Sequence, residues 1–400
     1  MVFVATLHFP EARQTVLDRM SAADPVAGIE ELAIEEAAGR VLAEDVTADR
    51  DYPPVSRSLR DGYALRAAEA PGGLRVKGEV RAGEIFRGTL GAGEAMEIMT
   101  GAPLPFGADA VLMVEHARRE GARVHAGQPV EPGAHVLARG AEARQGDVLI
   151  PRGARIGYPQ IAMLATVGHN PVRVYRQPRV AILATGDEIV ETSELPADYQ
   201  IRNSNAYSLA AQVRSAGGAP EILPVARDTR ESITEGLERG LTANLLLVSG
   251  GVSAGKYDLV EPVLQEFGAE FYFDRVLIQP GQPLVFGWAR GTYFFGLPGN
   301  PVSSMVTFEV FARAALEFLG GQRDPLLPIA YARLTASFRH KPGLTRFLPA
   351  RFDGRGNVTP VRWQGSSDVP AVARSNVFLI AEEDREAWSA GEWIRVLLRR

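Results

Sequence analysis

The sequence predicts a multidomain α/β protein in which a parallel-sheet domain is joined by two β-rich regions. Three observations carry this. From about residue 179, apolar runs alternate with helical segments, as in RVAILATGDEIV, NSNAYSLAAQVRSAG and NLLLVSGG. Continuous apolar strands alternating with helices imply a sheet covered on both faces. Between about Tyr52 and Val148, short alternating segments such as LRVKGEVRAGEIF and ADAVLMVEHA are punctuated by glycine, which reads as β structure. From about Pro328 the chain returns to short strands and turns, which fits a small β-barrel or sandwich.

In chain order, Phe9–Met20 predicts a short helix with Pro10 in its first turn. LAIEEAAGRVLAEDV reads as a second helix with strand-like ends. GDVLIPRGARIGYPQIAMLATVG reads as turn, strand and helix, returning the chain to its first segment after a β-rich insertion. The α/β region continues with APEILPVARD as a strand and TRESITEGLERGL as a helix. YDLVEPVLQEFG is a further helix, and TYFFGLPGNPVSSMVTFEVFARAALEFLG is a strand, a loop and a long helix. A length of 400 residues accommodates about two to four domains.

Composition narrows the function classes. The net charge of −5 offers no basic field for nucleic acid or anionic lipid, so neither is an expected partner. No cysteine is present, which excludes disulfides, thiolate nucleophiles and iron–sulfur ligation. The six histidines show no H-x-x-x-H pair, so a metal here would be a hard cation such as Mg²⁺ on carboxylates. No run approaches the roughly 18 apolar residues of a membrane span, and the N-terminus does not read as a signal peptide. A cytoplasmic protein is expected.

Three polar turns follow three of the strands. ILATGDE carries Thr185, Gly186, Asp187 and Glu188. LLVSGGVSAGKYD carries Ser249, Gly250, Gly251, Ser253, Gly255 and Asp258. FFGLPGNPVSS carries Pro298, Gly299, Asn300 and Ser303. In a parallel sheet these turns share one edge, where ligands bind. Glycines let backbone N–H groups approach a phosphate, and helices starting near Asp258 and Ser303 suit anions. Glu188 and Asp258 supply hard oxygen ligands. Gly250 to Lys256 matches G-x-x-x-x-G-K, but Tyr257 stands where a P-loop needs Ser or Thr for its metal. The loop therefore reads as a phosphate cradle of another kind. Each turn alone is equally a tight connection, and Asp258 alone is equally a helix cap.

Six motifs in order then give a resemblance covering nearly the whole chain. AAGRVLAEDV, SLRDGYAL, TGAPLPFGADAV, TGDE, GGVSAGKYD with GLPGNPVSS, and QGSSDVPAVARSNVFLI resemble the molybdopterin molybdenumtransferase family of MoeA proteins and the gephyrin E domain. The resemblance implies a Mog-like α/β domain over residues 179–325 and an inserted β-rich domain over 51–144. It also implies a linking domain over 1–50 with 145–178, and a C-terminal β-barrel over 326–400. It implies a homodimer whose active site is shared between subunits. It further implies adenylylated molybdopterin and molybdate as substrates, AMP release helped by Mg²⁺, and an upstream Mog-like adenylyltransferase.

Carried over by position, Glu188 and Asp258 hold metal or substrate, and Ser253 with the amides of Gly250 and Gly251 cradles phosphate. Asp61 and Thr100 reach across the dimer, while Asp228 and Ser366 match further family positions. The chain departs from the pattern at QPGQP, where Gln279 and Gln282 stand in place of frequent lysines. Arg60, Lys256 and the segment GLTRFLPARF also depart from it. The neutral glutamines leave open a non-catalytic molybdopterin binder or scaffold, and a tungstate-preferring homologue is also open. A kinase-like phosphotransferase is opposed by Tyr257.

Overall fold

The structure is a computed structural model and describes residues 6–23, 25, 28–251, 259–323 and 325–399. The chain divides into two compact units, one of residues 1–44, 153–158 and 171–400, the other of 45–152 and 159–170.

The larger unit is built on a six-stranded sheet. Ala219–Ile222, Arg179–Ala184, Leu245–Ser249 and Thr292–Leu297 run parallel in that spatial order. Val285–Ala289 and Glu270–Phe273 then extend the sheet antiparallel, an addition that strand–helix alternation alone does not predict. Successive strand residues point to opposite faces, and the core follows that rule. Val180, Ile182, Leu245 and Leu247 join one cluster with Val16, Leu209 and Val306. Ala181, Leu183, Leu246 and Val248 join another with Leu237 and Val263.

The helices begin where their capping chemistry allows. Asn203 accepts from Ala206 N at 3.2 Å to start Ser204–Ser215, and Thr229 accepts from Ser232 N at 3.3 Å to start Arg230–Gly240. The helix expected near Ser303 begins two residues earlier, at Pro301, whose fixed φ suits a first helical position. The N-terminal helix Phe9–Ser21 buries Phe9, Ala12, Val16 and Met20 in the same cluster as the sheet.

One expected helix is absent. Over LAIEEAAGRVLAEDV the structure has the end of a strand, Ile29–Leu32, a single 3-10 turn, Ile34–Glu36, isolated bridges at Val41 and Leu42, and the start of a second strand, Val46–Thr47, so the strand-like ends are present and the helix between them is not. The first strand pairs antiparallel with Val172–Tyr175, and Gly39 adopts φ +80°, which no continuing helix permits. Long-range pairing overrides local helix preference here.

The C-terminal region closes a five-stranded barrel. Thr345–Phe352 pairs with both Asn357–Pro360 and Val377–Ala381, and Ile329–Leu334 and Trp393–Leu398 complete the ring. Ile278–Gln279, from the α/β region, adds to the outside of Thr345–Phe352. The smaller unit carries its own six-stranded sheet, with Gly62–Leu65 between Ala110–Met113 and Glu94–Ile98.

Candidate active site

The turns following Arg179–Ala184, Leu245–Ser249 and Thr292–Leu297 lie side by side, because those strands are parallel neighbours. Backbone bonds knit them: Thr185 N donates to Ser249 O at 3.0 Å, and Gly250 N to Leu297 O at 3.1 Å. The turn carrying Asp228 joins through Gly186 N, which donates to Ala226 O at 3.1 Å. Together they frame a cavity of about 800 Å³. Thr185, Gly186, Glu188, Asp228, Ser249, Gly250, Gly251, Pro298 and Asn300, all expected from the sequence, line it.

The glycines are sterically required. Gly250 and Gly251 adopt φ +93° and +66°, and a Cβ would lie 2.7 Å from Thr185 O at the first and 2.8 Å from Thr185 Oγ1 at the second. The loop backbone is thereby pressed onto Thr185. Among the described residues, Thr185 Oγ1 and Asn203 Nδ2 are buried without a hydrogen-bond partner, and both residues line the cavity. An unmet buried polar group costs about 1–3 kcal/mol, so these are places where a ligand group or water completes the structure.

The carboxylates are arranged unequally. Glu188 is exposed and folds over Gly186, with Oε2 2.4 Å from where a Gly186 Cβ would stand. Asp187, also expected at the site, does not line the cavity: its Oδ1 accepts from Asp228 N at 3.2 Å, while Asp187 N donates to Asp228 Oδ2 at 3.4 Å. Among the described residues no group of three acidic or histidine side chains is placed to hold a metal. Mg²⁺ is commonly held by one or two carboxylates plus substrate phosphates, and Glu188 and Asp228, which both line the cavity, are donors of that kind. Ser253, Gly255 and Asp258 lie outside the described residues, as do Lys256 and Tyr257.

A smaller cavity of about 270 Å³ shares Pro283, Pro298 and Asn300 with the larger one. It gathers Gln279, Gln282 and Ser366 with Ser303, Leu344 and Trp363. Ser366 is tied to the α/β domain through Val302 N, which donates to its carbonyl at 3.0 Å.

Asp61 and Thr100 belong to the smaller unit and are neighbours. Thr100 donates its N–H and its hydroxyl to Asp61 Oδ1 at 2.6 and 2.7 Å. The hydroxyl bond first, then the backbone bond, holds the Asp61 carboxyl below its ordinary value.

Sequence reasoning missed the 202–205 segment. Arg202, Asn203, Ser204 and Asn205 all line the larger cavity. Asn205 Nδ2 donates to Ser249 Oγ at 2.8 Å and to Gly299 O at 2.7 Å, bridging two of the three turns. The N-S-N run signals a helix cap, which Asn203 supplies; nothing in it signals that Asn205 is a brace. Ser367, beside the expected Ser366, also faces the larger cavity.

A parallel-stranded core with a polar, glycine-lined cavity at its carboxyl edge, followed by a closed barrel, defines a multidomain α/β protein with a ligand-sized cleft. Family models refine this. The MoeA N-terminal region, domains I and II, matches residues 7–168. A probable molybdopterin binding domain matches 181–317, and the MoeA C-terminal region, domain IV, matches 331–398. The chain is 33% identical over 384 residues to a molybdopterin molybdenumtransferase of Bacillus subtilis (strain 168), covering 92% of this chain and 89% of the relative. A second protein of that name, from Staphylococcus aureus (strain Mu50 / ATCC 700699), is 30% identical, with 97% and 94% covered. Among solved structures, a molybdopterin biosynthesis MoeA protein from Pyrococcus horikoshii OT3 superposes with a TM-score of 0.83 at 28% identity, covering 99% of this chain and 100% of that one. The chain belongs to the molybdopterin molybdenumtransferase, or MoeA, family.

Among the described residues, no helix is long and apolar enough to cross a membrane.

Proposed function

We propose that this chain is a molybdenumtransferase of molybdenum cofactor biosynthesis, taking molybdate and adenylylated molybdopterin to molybdenum cofactor and AMP. The observation that carries the reading is the pair of adjoining cavities. The larger has the size and the polar, glycine-lined wall to take a nucleotide-linked pterin. The smaller, lined by Gln279, Gln282, Asn300 and Ser366, suits a compact oxyanion delivered beside it.

In this reading the backbone of Gly250 and Gly251, with Ser253 and Gly255, cradles the phosphates, and Thr185 Oγ1 donates to the bound substrate. Asn205 holds the Ser249 and Gly299 turns at a fixed separation. Glu188, with Asp228 and Asp258, would hold Mg²⁺, which when bound neutralises phosphate charge as AMP leaves. Gln279, Gln282 and Ser366 position molybdate by hydrogen bonds. In the homodimer that the family resemblance implies, Asp61 and Thr100 of one subunit serve the cavity of the other. An adenylyltransferase supplies the substrate, and the protein acts in the cytoplasm.

The test is turnover by the purified chain with adenylylated molybdopterin, molybdate and Mg²⁺. AMP release together with activation of a molybdenum-free apoenzyme is expected. Tight binding of the pterin nucleotide without AMP would instead favour a non-catalytic binder, the reading that the neutral Gln279 and Gln282 suggest.

A further inference from the structure

The larger cavity has two carboxylates, Glu188 and Asp228, and a single cation, Arg202, among its described lining residues. Arg202 is exposed, and its Nε donates to Glu194 O at 3.0 Å. That bond anchors the guanidinium, while its two terminal nitrogens have no partner, and no carboxylate pairs with it, among the described residues. Val190 opposes Arg202 in a short parallel ladder whose other pair, Ile189 and Ile201, lines the cavity as well. A cation therefore stands beside a small apolar shelf, of which Ile201 is 57% exposed.

From Arg202 the chain passes directly into a helix N-terminus that lines the same cavity. Ser204–Ser215 begins with Asn203 as its cap, and Asn203, Ser204 and Asn205 are all lining residues. The first N–H groups of a helix have no partner within it. Asn203 Oδ1 meets that of Ala206, and those of Ser204 and Asn205 have none among the described residues. A separate unmet donor marks the same place: Asn203 is 2% exposed, yet its Nδ2 has no partner. Buried polar groups are ordinarily hydrogen-bonded. Free N–H groups at the positive end of a helix, next to an arginine, favour a phosphate.

We infer that Arg202, with the N–H groups of Ser204 and Asn205, binds the phosphate of the departing nucleotide, and that Ile189 and Ile201 form the apolar shelf beside its base. This rests on reading the larger cavity as the pterin-nucleotide site, and it adds a second set of donors to those of the glycine turn. Arg202 and Ser204 are exposed, whereas Thr185, against which the glycine turn is pressed, is 3% exposed. The 202–205 segment thus stands at the solvent end of the lining, from which a product leaves. A phosphate monoester carries about −1.5 to −2 charge at pH 7, and the terminal nitrogens of a guanidinium can meet two of its oxygens at once.

Calorimetric titration of the full chain with AMP, and separately with adenosine, in the presence of Mg²⁺ at low ionic strength tests this. Arg202→Met, which keeps the apolar stem, is expected to weaken AMP binding about tenfold and to leave adenosine binding as in the parent. Arg202→Lys, which keeps the charge, should recover part of the loss. The difference between the parent and Arg202→Met should shrink as salt rises. Parent-like AMP affinity in Arg202→Met overturns the inference, and turnover by the parent then leaves the cavity reading intact. An equal loss for AMP and adenosine, or a melting temperature several degrees lower, overturns it too, because it marks an arginine that only anchors the chain at Glu194. A parent that binds no AMP at millimolar concentration and shows no turnover overturns both the inference and the cavity reading.

Discussion

Thr100 donates two hydrogen bonds to a single oxygen, Oδ1 of Asp61, from its backbone at 2.6 Å and its hydroxyl at 2.7 Å. Both bonds favour the charged carboxylate, and the Asp61 pKa lies below its ordinary 3.8. The stabilisation is complete above the ordinary value and is lost as pH falls through the lower, folded-state value. Thr100→Ala removes the hydroxyl bond and keeps the backbone one, so the Asp61 titration should move part of the way back up. Carboxyl-carbon NMR of the parent and variant reads this, and an unchanged Asp61 titration would show that the hydroxyl bond has no effect.

Gly250→Ala forces a Cβ to 2.7 Å from Thr185 O at a φ of +93°. The expected cost is about 1–3 kcal/mol of stability, measured by urea denaturation. Substrate affinity should fall as well, because the loop must lift from Thr185. Gly268→Ala, also at positive φ (+75°) but with nothing within 4 Å of its Cβ, is the control for backbone strain alone.

Asn205→Ala deletes both bonds that brace the Ser249 and Gly299 turns. We expect a loss of about 1–3 kcal/mol and a clear fall in kcat/KM. Asn205→Asp keeps the shape but brings an acceptor to the carbonyl of Gly299, so it should not rescue. Steady-state kinetics on both variants, beside thermal melts, separates bracing from general destabilisation.

Gln282→Lys places a charge on the smaller cavity, where the described lining residues carry none. A charge-assisted bond in place of a neutral one should tighten molybdate binding about tenfold. The gain should shrink as salt rises. Molybdate KM measured at two ionic strengths checks both statements.

The parallel core was legible because its strands are short apolar runs bounded by turn residues, as in Leu245–Ser249. The shared edge of the TGDE, SGG and LPGN turns followed from strand direction alone. Most of what escaped depends on contacts distant in sequence. The strand Ile29–Leu32 was not read from the sequence, and a helix was read from Leu32 onward, because the strand's partner, Val172–Tyr175, lies far along the chain. The closing of the barrel by Thr345–Phe352 with Val377–Ala381 is likewise long-range. The antiparallel extension of the sheet escaped for another reason: it is a tight hairpin in which Ala289 pairs with Thr292, and Val285–Ala289 was not read as a strand. Gln279 and Gln282 entered together in QPGQP and Ser366 in a separate motif, and no spacing announces that the two motifs share a cavity. Asn205 was invisible because its neighbour Asn203 already explains the polar run as a cap.

Coupling of AMP release to molybdate insertion at this site is measured by single-turnover AMP release. The chain would be loaded with adenylylated molybdopterin and Mg²⁺, and AMP followed with and without molybdate, in the parent and in Asp258→Ala. AMP release should depend on molybdate, with one AMP for each cofactor formed, and should be lost in a folded Asp258→Ala variant. Release at the same rate without molybdate, or full activity in Asp258→Ala, would contradict it.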